Sequence, residues 1–180
     1  NKLGWINKNL PGQAFISPYL GTYYYGFNQT RTPFKGNPEL RRSLSLAIDR
    51  SIITAKLLGN GELPAKRWLP PGLLSEPTKT AANKKLDINL AKELCKQAGY
   101  SESNPLLTTL HYNSSDQNKR IAVAIAAMWK KNLGVKVQLI NEEWKVFLNR
   151  RKSKTETQLY RASWIADYKD ASSFLTLFTS

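Results

Sequence analysis

The sequence predicts an α/β domain, a mixed sheet flanked by helices, and three observations carry that expectation. From residue 105 onward, apolar alternation and helical periodicity take turns as β-α-β-α-β-α, the pattern of a sheet with helices on its faces. Four of the predicted helices open on capping residues, and three of them stop at glycine. A chain of 180 residues, 41% hydrophobic and 11% aromatic, is long enough for one domain with its own core.

Taken in order, residues 13–28, QAFISPYLGTYYYGFN, are rich in aromatic and β-branched side chains and broken by Pro18 and Gly21. That predicts two strands, 13–17 and 22–28. Alternation turns Tyr24 to the face opposite Tyr23 and Tyr25, one face toward core and one toward water. A helix follows, with Asn37 as cap, Pro38 at its first position, and Leu40, Leu44, Ile48 and Ile52 at every fourth residue. It is expected to reach about Leu58 and end at Gly59-Asn60-Gly61. Four prolines make 63–80 a loop. Asp87 then caps a helix whose apolar face is Ala91, Leu94, Cys95 and Ala98, stopped by Gly99. On that face Cys95 reads as a small buried hydrophobe.

The segment PLLTTLHY, 105–112, is a strand, with His111 at its surface or at the edge of the core. Ser114 and Gln117 form a capping box for a helix carrying Ile121, Ile125, Met128 and Trp129, ending near Gly134. Val135, Val137 and Leu139 alternate as the next strand. Asn141 is the expected cap of the following helix, with Glu142 and Glu143 in its first turn as partners of the helix dipole. A strand at 158–164 and a helix at 171–178 complete the series.

The formal net charge is +14. Its positive residues are spread along the chain, and only RRKSK at 150–154 resembles a patch. A basic nucleic-acid-binding module is therefore the competing reading from another class, although no basic-helix, zinc-finger or RNA-sheet signature accompanies the charge. No apolar run approaches a membrane span. The opening residues lack a signal-peptide core, which would hold equally for a mature or an excised chain. A single cysteine excludes an internal disulfide framework.

Enzyme signatures fail. One histidine, His111, cannot build a metal cluster or a relay between imidazoles, and local spacing offers it no carboxylate. Gly59 and Gly61 follow a helix, the wrong order for a phosphate cradle. No catalytic residue, metal or cofactor is expected. What remains is recognition chemistry, concentrated in 159–174, LYRASWIADYKDASSF. Asp167 lies three residues after Trp164 and directly before Tyr168, while Arg161 precedes Trp164 by three. A charge buried between two large rings needs a partner, and ligands of such sheets sit beyond the strand ends. The plainer alternative is a core tryptophan beside a helix-capping aspartate.

Two groups of motifs carry a resemblance. NPELRRSLSLAIDRSII at 37–53, with Gly61, Pro64 and Ala65 after it, resembles the helix motif of the family 5 extracytoplasmic solute-binding proteins. TYYYGFNQTRTPF, HYNSSDQNKR, and MWKKNLGVKVQLINEEWKVFLNRR through WIADYKDASSF resemble that family's periplasmic oligopeptide- and murein-peptide-binding branch. The matches run in order from about residue 19 to 178.

The resemblance implies a type II periplasmic-binding-protein fold, in which two α/β lobes close over a peptide and deliver it to the membrane permease subunits of an ABC importer. It implies that 1–180 is a single lobe, the second, whose partner lobe lies outside this chain, in a periplasmic or lipid-anchored protein. The ligand is an oligopeptide, with murein peptides or another small solute as the alternative, and nucleic acid is no partner. By the same resemblance Asp167 meets the peptide's α-ammonium, and the backbone at 163–167 pairs with the peptide as an added strand. Trp164 and Trp144 line side-chain pockets, Tyr19 and Tyr24 face the ligand, and Arg151 and Arg161 suit carboxylates. Ile165 stands in the ligand segment where close relatives carry a cysteine, and Gly21 where its partner cysteine would be. Asn118 replaces a histidine and Leu58 a lysine, both associated with the ligand's carboxyl end.

Overall fold

The computed structural model describes residues 2–17, 19–73 and 86–179. Its elements are α1 (Lys2–Asn9), β1 (Gly21–Phe27), α2 (Pro38–Leu46), a π-helical segment (Ile52–Leu58), α3 (Ile88–Gln97), β2 (Leu107–Asn113), α4 (Asp116–Leu133), β3 (Lys136–Glu142), α5 (Trp144–Ser153), β4 (Leu159–Ile165), α6 (Ser172–Leu175) and a 3-10 turn (Thr176–Phe178). From residue 105 onward this is the expected β-α-β-α-β-α order. The strands form one sheet in the order β1-β4-β2-β3, with β2 parallel to both β3 and β4. The Asn28 amide donates to the Gln158 carbonyl and the Ala166 amide to the Leu20 carbonyl, so β1 runs antiparallel to β4. The sheet is mixed. The chain divides into two compact units, residues 24–49 with 85–162 and residues 1–23 with 50–84 and 163–180, and β1 and β4 run from one into the other.

The first of these units holds most of the sheet. The connections from β2 to β3 and from β3 to β4 cross the sheet in opposite directions. Right-handed crossovers therefore place α4 and α5 on opposite faces. Covered on both sides, β2 buries Leu110, His111 and Tyr112 in succession and does not alternate between core and water. The core gathers Leu40 and Leu44 from α2, Ala91 and Leu94 from α3, Ile121, Ile125 and Trp129 from α4, and Leu159 from β4. Cys95 is buried among them, and burial pushes its thiol above the usual range against the opposing effect of a hydrogen bond with Ser43. Tyr23, Tyr24 and Tyr25 of β1 are all half-buried, so the expected division into a core face and a water face is not seen there.

The helix expected from Asn37 to Leu58 is two elements. Its start is as read: Asn37 Oδ1 accepts from the Leu40 amide at 3.1 Å, with Pro38 next. It stops at Leu46 because two side chains of α4 take its final carbonyls. Trp129 Nε1 donates to Leu44 O at 2.8 Å and Asn132 Nδ2 to Ala47 O at 3.1 Å. A local period of four cannot reveal competitors 85 residues away. Three other boundaries differ. Ser115 caps α4 in place of Ser114, whose hydroxyl donates to Asn141 Oδ1 and Glu142 O. Parallel pairing carries β3 on to Glu142, opposite Asn113. Asn141 is thereby consumed in the strand and Glu143 caps α5, accepting from the Lys145 and Val146 amides. Glu142 is buried at the strand end and is no partner of a helix dipole.

Asn28 clamps the connection between α5 and β4. Its Nδ2 donates to Lys154 O at 2.8 Å and Thr157 O at 2.7 Å, while its Oδ1 accepts from the amide and hydroxyl of Thr30. Lys154 ends α5 in the left-handed region at φ 56°. Asn28→Ala is expected to lower stability by about 1–3 kcal/mol, since two carbonyls lose their donor in a largely buried place. The midpoint of urea unfolding checks this.

In the other unit, Trp68 is the centre. Its Nε1 donates to Phe174 O, its carbonyl accepts from Thr22 Oγ1, and its ring meets Phe174 and Phe178 edge-on. The π-helical segment closes on Gly59 at φ 66°, whose amide donates five residues back to Thr54 O. Residues 13–17 form no strand. Among the described residues none pairs with them, and Phe15 is 94% exposed. Strand propensity expresses a fit to a half-buried pleated surface, which this segment lacks. Pro18 and residues 74–80 of the expected loop lie outside the described residues. The last helix is one α-turn continued as a 3-10 turn, and α1 has no sequence signal among those read above.

Candidate functional site

Each unit presents its own group of the expected site residues. In the sheet unit, Tyr24, Arg151 and Arg161 come together around Tyr160. The Arg151 guanidinium lies 5.8 Å above the Tyr160 ring centre. Arg161 Nη1 donates to Asn113 Oδ1 at 3.2 Å, and Asn118 Nδ2 holds the same residue through its carbonyl and its Oδ1. Burial, then the neighbouring Tyr160 phenol, raises the Tyr24 hydroxyl above its ordinary pKa, and the charges of Arg151 and Arg161 work the other way. The result is a half-buried phenol flanked by two guanidinium groups, with Arg161 bonded to the last residue of β2 from near the start of β4, an arrangement suited to an anion. Trp144, at the start of α5, stacks on Phe147 with ring centres 6.0 Å apart and keeps about half its surface exposed, 48%.

In the other unit, the segment 164–173 is fixed from within. Trp164 Nε1 donates to Ser173 O at 2.7 Å, and the Asp167 amide donates to Ser173 Oγ at 3.0 Å. Asp167 itself is exposed, so the premise of a charge buried between two rings does not hold. Its amide serves the fold and its carboxylate faces outward. Among the described residues Asp167 enters no ion pair. Ile165 is half exposed and Tyr19 stands out at 65%. The bond from Ala166 to Leu20 sets a register in which Gly21 lies opposite Ile165, so the two positions of the implied lost cysteine pair face each other. A side chain at Gly21 would meet the Tyr19 ring at 2.8 Å.

Several residues of consequence were missed. His111 is not at a surface or edge: it is 1% exposed, and its Nδ1 lies 3.0 Å from Glu142 Oε2. Arg150 Nε meets Glu142 Oε1 at 2.5 Å and its Nη1 meets Glu156. The histidine–carboxylate pair spans two strands, so only their parallel register could have announced it. The RRKSK run is correspondingly less of an open patch, since Arg150 turns inward and Arg151 covers Tyr160. Tyr160 was passed over although it alternates with Arg161 on β4.

One unit thus gathers phenols and guanidiniums, and the other carries an exposed aspartate on an anchored backbone. The sequence model described as "Bacterial extracellular solute-binding proteins, family 5 Middle" matches residues 5–180. The chain belongs to this family. Within family 5, it is 44% identical over 177 residues to the periplasmic murein peptide-binding protein MppA of Escherichia coli, covering 96% of this chain and 33% of that protein. It is 41% identical over 179 residues to the periplasmic oligopeptide-binding protein OppA of Salmonella typhimurium, 97% of this chain and 33% of that one. The probable deoxycholate-binding periplasmic protein YgiS of Escherichia coli matches at the same 41% identity, again over 97% and 33%. The chain thus spans about a third of the length of the curated relatives it matches. The solved structure of the Escherichia coli murein tripeptide binding protein MppA superimposes with a TM-score of 0.86 at 42% identity, covering all of this chain and 36% of that one. The architecture is that of a type II periplasmic binding protein.

Proposed function

We propose that this chain is one lobe of a longer substrate-capture protein that binds oligopeptides and hands them to the permease subunits of an ABC importer. The observation that carries the reading is Asp167, an exposed carboxylate whose backbone and neighbouring tryptophan are both anchored to Ser173. A carboxylate on an anchored backbone receives an ammonium with only its own side chain left to order. The backbone of 163–167 extends the ligand as a strand, Trp164, Ile165, Trp144 and Tyr19 bound its side chains, and Tyr24, Arg151 and Arg161 meet an anionic group. Main-chain recognition of this kind supplies affinity without reading sequence. The protein acts by binding and performs no chemistry on the peptide. Its place is the periplasm or, lipid-anchored, the cell surface, and its second lobe completes the enclosure of the ligand.

The names MppA and OppA support a peptide, and the chemistry of Asp167 supports one with a free amino terminus. The equal identity to YgiS supports a second reading, a carboxylated amphipathic solute held by the same arginines. Native mass spectrometry of ligands that co-purify with the full-length protein separates them. A ladder of peptide masses is the expected outcome, and a single steroid-acid mass would replace the peptide reading.

A further inference from the structure

Arg151 poses a problem of order. It sits in the last turn of α5 within a strongly basic run, and a guanidinium on a flexible stem has many places to go. Its neighbour Arg150 is fixed by Glu142 and Glu156. What fixes Arg151 is the face of Tyr160, 5.8 Å below it. That ring is itself wedged. It lies so close across β1 that a Cβ added at Gly26 would fall 2.3 Å from its Cζ and 2.5 Å from its hydroxyl oxygen. Gly26 is a glycine of ordinary negative φ in mid-strand, so its lack of a side chain serves this approach and no turn. The same ring borders the Tyr24 phenol, which Arg151 and Arg161 also influence.

We infer that Tyr160 is a positioning residue for Arg151, laid flat by the absence of a side chain at Gly26, and that the pair sets how strongly the site takes an anionic group. This rests on the reading that Arg151 faces the ligand. A cation over an aromatic face gains most where water is thinned, and the ring also removes alternative rotamers of the arginine. The phenol hydroxyl is not required for either effect.

The test uses the full-length protein and two probes, trialanine and its C-terminal amide, with affinities from calorimetry. Tyr160→Leu keeps apolar bulk without a ring, and Gly26→Ala pushes the free end of the ring aside. Each is expected to weaken trialanine by roughly tenfold. The amide should change little, and Tyr160→Phe should bind both as the parent does. A readout independent of ligand accompanies this. The Arg151 side-chain protons should carry an upfield ring-current shift in NMR, retained in Tyr160→Phe and lost in Tyr160→Leu and Gly26→Ala. Equal losses for acid and amide would make the ring merely structural and overturn the inference, as would a ring-current shift that survives Tyr160→Leu. A parent protein that binds acid and amide alike would instead remove the ligand role of Arg151, leaving the NMR comparison to judge the positioning by itself.

Discussion

Glu142→Ala should lower folding stability by about 3 kcal/mol, the low end of the range of about 3–5 kcal/mol for breaking a buried ion pair. The carboxylate meets His111 Nδ1 at 3.0 Å and Arg150 Nε at 2.5 Å, and it is 8% exposed. Its removal leaves the His111 ring buried with neither nitrogen hydrogen-bonded among the described residues, since Nε2 already has no partner. The low end applies because Arg150 is a third exposed and keeps Glu156, so water recovers part of its solvation. Glu142→Gln should cost less, because an amide can still bond the imidazole. A double replacement of His111 and Glu142 by leucine should cost less than Glu142→Ala, since the imidazole is then no longer stranded. Urea unfolding of the three variants checks the order, and a Glu142→Ala midpoint equal to the parent's would contradict it.

Asp167→Ala should weaken binding of a peptide with a free amino terminus by at least about tenfold, or about 1.4 kcal/mol. Losses of about 2–5 kcal/mol are usual when one partner of an enclosed charge pair is cut away. The control is an N-acetylated peptide. It should bind the parent weakly and lose nothing further in the variant, because it offers no ammonium. Since the fold uses the Asp167 amide and leaves the carboxylate outward, thermal stability should be nearly unchanged. Unchanged affinity for the free peptide in calorimetry would end the assignment of Asp167.

Much of the architecture was legible because its signals are local. Asp87 and Gly99 bracket α3, and Gly134 ends α4 in the left-handed region at φ 69°, each decided within a few residues of chain. The misreadings are places where a distant group wins. Trp129 and Asn132 cut short a helix whose apolar period continues undisturbed. The parallel register draws Asn141 and Glu142 into β3, although as text they look like a cap and a first turn. The site shows the same division. Residue types and motif order singled out Asp167, Arg151 and Arg161, but nothing in the text says that Asp167 is exposed or that Tyr160 lies beneath Arg151. Those facts depend on which strand neighbours which.

The two consecutive arginines of α5 have a bearing on where the chain can change length. Successive residues of a helix point about 100° apart, and here one arginine turns in to Glu142 while the next lies on Tyr160. One residue inserted between the Glu143 cap and Arg150 would rotate both away from their partners at once. An insertion beyond Lys154, where the helix has already ended, leaves that phase intact but disturbs the connection that Asn28 holds at Lys154 and Thr157. Relatives that keep this pair of contacts should therefore be constant in length between the cap and the arginines.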